Sequence, residues 1–299
     1  MQTTSKVFMV KPVRFGFNPQ TADNNAFSRP GRDTSAQENA LREFTSYVSL
    51  LRANKIDVVI GEDTYSPHTP DSIFPNNWFS THDDGTMVLY PMSTVNRRHE
   101  RKEELLEVIR KNFEVRRLID LTWWENDNLY LEGTGSMVLD RDNRIVYAAR
   151  SPRTSEKVLE DFCKQMCFTP VCFDASDRDG MAIYHTNVMM SVGTLYAVVC
   201  TESIHEEDRE KVLTSLRESG KKIMEITLDQ LGHFAGNMLE LHNSEGKAVL
   251  VMSASARKSL TPEQNRELSS HYKLLSPQLD SIEMLGGGSA RCMLAELFQ

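Results

Sequence analysis

One pattern recurs five times along the 299-residue chain and limits its fold more than any other feature: a polar turn that runs directly into an apolar strand. The turns are Asn77-Trp78-Phe79, Gly135 to Leu139, Asn187 to Met190, Asn237 to Leu241 and Arg291 to Leu294, so successive starts lie 58, 52, 50 and 54 residues apart. Hairpin turns follow the first four, at Asp83-Asp84-Gly85, Asp142-Asn143, Val192-Gly193 and Ser244-Glu245-Gly246. Each leads into a second apolar strand such as Met87 to Tyr90 or Ala248 to Met252. Apolar residues then recur at helical spacing in Asn96 to Phe113, Thr154 to Met166 and Ile204 to Ser219, and Thr261-Pro262 opens a fourth helix. A short strand closes each unit, as in Lys222 to Ile226 and Ser281 to Leu285.

The fifth unit reaches Gln299 without a second strand, while Lys6 to Val10 forms an unclaimed strand at the other end, followed by a helical pattern from Thr34 to Lys55 and a short strand at Asp57 to Ile60. The spacing therefore predicts an α/β fold: a five-bladed α/β propeller of five ββαβ units in a single domain spanning 1–299, with the N-terminal strand closing the fifth unit. Each unit buries its face only against its neighbours, and closure of the ring removes sheet edges. The competing reading is an ordinary α/β protein with coincidental spacing.

The formal charge of −8 disfavours nucleic acid as a partner. The one basic run, Arg97, Arg98, Arg101 and Lys102, alternates with Glu100, Glu103 and Glu104 and reads as a solvated helix face. No stretch of eighteen apolar residues suggests a membrane span, and Met1 to Lys11 lacks the features of a leader, so the expected location is cytoplasmic. Five cysteines do not suggest a disulfide framework, and the spacing of Cys163, Cys167 and Cys172 does not match a zinc site; no metal is expected.

In a closed ring the equivalent turns converge on the axis. They bring together Asn77, Glu132 just before Gly135, His185 just before Asn187, Asn237, and Cys292. Cysteine, histidine and glutamate from three units are the minimal set for nucleophilic attack with acid–base help. Cys292 follows Gly286-Gly287-Gly288-Ser289, whose backbone is expected to approach a ligand and to leave amide N–H groups for developing negative charge, while Met293, Leu294, Leu297 and Phe298 anchor a strand. Each residue has a plainer reading: Cys292 as a small buried hydrophobe, His185 as a turn histidine, Glu132 as a turn cap. His233, without a partner in the pattern, reads as structural.

Through Phe74-Pro75-Asn76-Asn77, Glu132-Gly133-Thr134-Gly135, Ser151-Pro152-Arg153-Thr154, His185-Thr186-Asn187 and the glycine-rich Cys292 turn, the chain resembles the pentein superfamily of guanidino-group-modifying enzymes, and within it the deiminase-related citrulline hydrolases. The resemblance implies a Cys292 thiolate attacking a guanidino or ureido carbon, His185 moving protons and Glu132 holding the substrate nitrogens and orienting His185, with no cofactor. Arg153, with Arg97 or Arg98, is implied to hold a substrate carboxylate. Relatives that act on arginine carry aspartates where this chain has Asn77 and Asn187, and often another in place of Gly135. A buried carboxylate suits a cation, whereas an amide both donates and accepts hydrogen bonds, so two asparagines favour a neutral ureido head. Citrulline hydrolysis to ornithine, carbon dioxide and ammonia is the expectation. Deimination, dimethylarginine hydrolysis or amidino transfer on a cationic guanidine is the alternative, and a non-catalytic binding propeller is another. The loops 17–33 and 62–73 carry no recognisable code, although Asn24 and Asn25 lie where a lid would be.

Overall fold

The structure is a computed structural model that describes residues 1–22, 25–30 and 35–298; Asp23, Asn24, the start of the predicted helix at Thr34 and the terminal Gln299 lie outside the described residues. Among the described residues, fifteen strands form five separate three-stranded sheets. The N-terminal strand β1 (Lys6–Lys11), helix α1 (Ala36–Ala53) and strand β2 (Asp57–Glu62) come first. The first full unit is β3 (Phe79–Thr81), β4 (Thr86–Leu89), α2 (Glu103–Asn112) and β5 (Arg117–Asp120). The second is β6 (Val138–Asp140), β7 (Ile145–Ala149), α3 (Glu156–Met166) and β8 (Thr169–Phe173). The third is β9 (Met190–Val192), β10 (Tyr196–Val199), α4 (Glu206–Glu218) and β11 (Lys222–Glu225). The fourth is β12 (Leu239–His242), β13 (Ala248–Val251), α5 (Pro262–His271) and β14 (Lys273–Leu275).

The last strand, β15 (Ala295–Glu296), pairs antiparallel with β1, which pairs parallel with β2. This is the same antiparallel-then-parallel order found in the other four sheets, so both ends of the chain build the fifth unit. Side chains close the ring. Val88 and Tyr90 of the first unit pack with Leu139 and Val146 of the second, and Phe8 and Leu297 of the fifth pack with Phe79 and Met87 of the first. The sheets do not merge, so closure does not remove sheet edges as expected. Inner strands of two to four residues are too short for a continuous ladder, and the burial of apolar faces between units does the joining.

Three further expectations change. Ser281 to Leu285 is not a strand but part of a helix, Asp280–Gly286; Ile282 and Leu285 are buried in the cluster that contains Phe44 and Val48 of α1, and Glu43 of α1 accepts the backbone N–H of Ser281 and Ile282 at 2.9 and 3.0 Å. The helix predicted over Asn96 to Phe113 is broken into Val95–Arg98 and α2. Arg97, Glu100 and Lys102 turn inward at the break and are buried, so the basic run is not a solvated face. Met293 and Leu294 are buried in the Cys292 turn itself, one step before β15 begins. The predicted start of α5 holds: Thr261 Oγ1 accepts the Gln264 N–H while the Gln264 side chain accepts the Thr261 N–H, a reciprocal cap. Among the described residues no helix is long and apolar enough to cross a membrane.

Candidate active site

Three of the turns that lead into the inner strands line one small pocket, whose wall includes Asn77, His185 and Cys292, together with Arg97, Arg153 and Asp71; Glu132, Asn187 and Asn237 are not part of that wall and reach it through His185 and Cys292. Helix Asp280–Gly286 aims the nucleophile turn. It ends at Gly287, whose φ of +62° is left-handed, and a side chain there would meet the Asn25 amide at 2.5 Å. The Gly287 N–H bonds back to Glu283 O at 3.0 Å, and the Cys292 N–H goes to Ser289 O at 3.0 Å. These two amides are thus used inside the turn, not held open toward a ligand. Tyr47 of α1 donates to Ala290 O at 3.1 Å and ties the turn to the outer helix. Cys292 is 3% exposed, and its Sγ lies 3.3 Å from Asn237 Nδ2 and 3.6 Å from Asn187 Nδ2.

Glu132 and His185 are joined by a 2.8 Å contact between Oε2 and Nε2, and both are buried. Burial works to raise the Glu132 carboxyl, but Arg153, the His185 bond and Arg97 outweigh it and hold the group well below the usual carboxylate range. Its other oxygen accepts the Ser93 N–H at 3.0 Å. Burial lowers His185 to about 4, against the raising effect of Glu132 and with help from Arg153 and Arg97. At neutral pH the pair is therefore a neutral imidazole donating Nε2–H to a carboxylate, with Nδ1 left as the acceptor. Gly135 makes room for this arrangement: a Cβ there would lie 2.4 Å from Asn77 Nδ2 and 2.8 Å from His185 Nδ1.

Arg97 is expected to contact a carboxylate, yet its guanidinium is already occupied. Nε and Nη2 grip Glu100 at 2.8 and 3.0 Å, Nη2 also reaches Phe74 O at 3.3 Å, and Nη1 donates to Asn77 Oδ1 at 2.8 Å. This last bond identifies the two ends of the Asn77 amide and leaves its Nδ2 buried with no partner among the described residues. Arg98 turns to the carbonyls of Met92 and Ser93 instead. Arg153 does line the pocket; its Nη2 donates to Thr21 O at 3.0 Å, its Nη1 lies 3.5 Å from Glu132 Oε2, and its guanidinium sits over the Tyr184 ring at 4.9 Å. His233 is exposed, 3.3 Å from Ser255 Oγ, and stands outside the pocket.

Asp71 is the residue the sequence reading misses. Its Oδ2 accepts the Asn18 amide at 2.6 Å, while Oδ1 is buried without a partner among the described residues. The segments 17–33 and 62–73 thus both reach the pocket, through Asn18, Thr21 and Asn25 on one side and Asp71 on the other; Asn24 lies outside the described residues. Only its place shortly before the Asn77 turn marks Asp71 in the sequence.

The five-unit ring around this pocket is the pentein fold, shared with an arginine dihydrolase and a DDAH, which are C–N hydrolases of guanidino compounds. Residues 11–299 match the model of the eukaryotic N,N-dimethylarginine dimethylhydrolase family, and the chain belongs to that family. Among solved structures it is similar to the substrate-bound N-terminal domain of ArgZ, an arginine dihydrolase of cyanobacteria, at 16% identity and a TM-score of 0.74 over 98% of each chain. It is similar to AgrE bound to L-arginine at 17% identity and a TM-score of 0.74, over 98% of this chain and 40% of that one. A Pseudomonas aeruginosa DDAH in complex with citrulline matches at 13% identity and a TM-score of 0.70, over 99% of this chain and 100% of that one. The chain also spans 40% of full-length ArgZ. No curated protein matches significantly.

Proposed function

We propose that this protein is a cysteine hydrolase of the ureido group of a small amino acid, with citrulline as substrate. The observation that carries the reading is the Asn77 amide, whose oxygen is taken by Arg97 so that only its N–H₂ end remains for a ligand. A ureido group offers a carbonyl oxygen to that donor; a guanidinium offers only N–H groups and would meet it donor to donor. In the proposed mechanism neutral His185 takes the Cys292 thiol proton and sulfur attacks the ureido carbon. The imidazolium, paired with Glu132, gives the proton to the departing ornithine nitrogen as the C–N bond breaks. A carbamoyl group remains on sulfur. Water, deprotonated by His185, then attacks it, the C–S bond breaks, and carbamic acid falls apart to carbon dioxide and ammonia. At the far end of the substrate, Arg153 takes the carboxylate and Asp71 Oδ1, unpaired among the described residues, takes the ammonium group.

A second reading makes arginine the starting substrate, with citrulline as the intermediate of two successive hydrolyses. The carboxylates of Glu132 and Asp71 near the pocket favour it, as does the likeness to an arginine dihydrolase. The test is ornithine and ammonia release from citrulline, arginine, dimethylarginine and succinylarginine, using wild type and Cys292→Ala. Citrulline turnover that the variant abolishes is the expected result; turnover of arginine much faster than citrulline overturns the neutral-head reading.

A further inference from the structure

Asn237 reaches the nucleophile from the fourth unit, fully buried, and its surroundings determine every polar group of its side chain. Oδ1 accepts the Arg291 N–H at 3.0 Å, and Nδ2 donates to the Asn187 carbonyl oxygen at 2.9 Å. These two bonds identify the ends of the amide. They leave one N–H, which faces Cys292 Sγ at 3.3 Å. Asn187 differs, for its Nδ2 and Oδ1 lie 3.6 and 3.9 Å from the sulfur and both ends of that amide face it.

A thiol is a weak acceptor and a thiolate a strong one, so a fixed N–H at the sulfur favours the anion. A cationic guanidinium brings its own charge to that anion, but a neutral ureido substrate does not. The charged and titratable groups around the sulfur are His185, Asp71, Arg97 and Arg153 across the pocket, Tyr184 beside it, and Tyr47 and Arg291 behind the turn. Among the described residues, none of these donates a hydrogen bond to Sγ. We propose that Asn237 is the fixed donor that orients the Cys292 sulfur and stabilises the anion that forms as its proton passes to His185. The ureido reading supplies the motive for such a donor, but the test needs no substrate, so either idea can fail alone.

Alkylation of Cys292 by iodoacetamide, followed on its own peptide across a pH series, reads the anion directly and separates it from the exposed Cys167. With Asn237→Ala, the rate at pH 7 is expected to fall about tenfold and the rate–pH curve to move up by about one unit, the size of one charge-assisted hydrogen bond. Asn237→Ser, which keeps a hydroxyl near the Arg291 N–H but is too short to reach sulfur, is expected to behave likewise. Rate–pH curves that overlay the wild type in folded variants overturn the proposal. If neither variant folds, wild-type protein labelled at asparagine nitrogen decides. The Asn237 side-chain resonance must shift when Cys292 is capped with a methylthio group, and an unmoved resonance overturns the proposal.

Discussion

Replacing Asn77 with aspartate reverses the polarity of one pocket wall while keeping its shape. Oδ1 keeps its 2.8 Å bond from Arg97, and that cation favours the ionised form of the new carboxylate. The other atom changes from an unpaired N–H donor to an anionic acceptor. Against citrulline the change removes a hydrogen bond to the ureido oxygen and sets two acceptors face to face, about 2–3 kcal/mol in all. That corresponds to roughly a 30- to 150-fold loss in kcat/KM. Against arginine the new carboxylate gains a charge-assisted bond, about 1.5–3 kcal/mol, or roughly a 10- to 150-fold rise in kcat/KM. Initial rates of ammonia release from both substrates, with wild type and Asn77→Asp side by side, measure the ratio. A citrulline-to-arginine ratio that stays within about threefold of wild type, or activities that fall in parallel, would mean that the Asn77 amide does not read the head group.

Other positions give independent checks. Asp71→Asn should raise KM for citrulline about tenfold or more with a smaller change in kcat, and should leave an analogue lacking the α-amino group unaffected; equal effects on both would remove Asp71 from ammonium binding. In Gly135→Ala the new methyl meets Asn77 and His185, so the urea midpoint should fall by the equivalent of about 1–3 kcal/mol and activity should drop with it, whereas a wild-type midpoint would mean the wall yields freely. His185 stays neutral in the folded protein down to about 4, while in the unfolded chain it takes up a proton near 6.5. Its contribution to stability is therefore complete above about 6.5 and is lost as pH falls toward 4. Urea titrations from pH 7 to 4.5 should show wild type losing stability more steeply than His185→Gln, on the order of 1–3 kcal/mol more; parallel curves would contradict a neutral buried imidazole.

The five-unit repeat is legible in the sequence because each inner strand is announced by a polar turn, and the same spacing brings Asn77, Glu132, His185, Asn237 and Cys292 to neighbouring turns. What escapes the pattern has physical causes. Ser281 to Leu285 reads as strand or helix from its apolar residues alone, and the packing of Ile282 and Leu285 with α1 decides for the helix. Arg97 and Glu100 look like a solvated pair at helical spacing, but their mutual grip lets both be buried and turns Arg97 onto Asn77. Asp71 lies in a loop without a recognisable code, and only the folded chain brings its oxygen, unpaired among the described residues, to the pocket. The glycines before Cys292 do serve close approach, though two of the turn's amides are committed within it.

The proposed reaction passes through a covalent intermediate on Cys292 formed from a ureido carbon. The most direct measurement is the intact mass of the protein quenched in acid during citrulline turnover, with the modified peptide sequenced. A carbamoyl group on Cys292, appearing with citrulline and absent in Cys292→Ala, is the predicted result. Steady ornithine release with no adduct at any quench time, or an adduct on another residue, would contradict it.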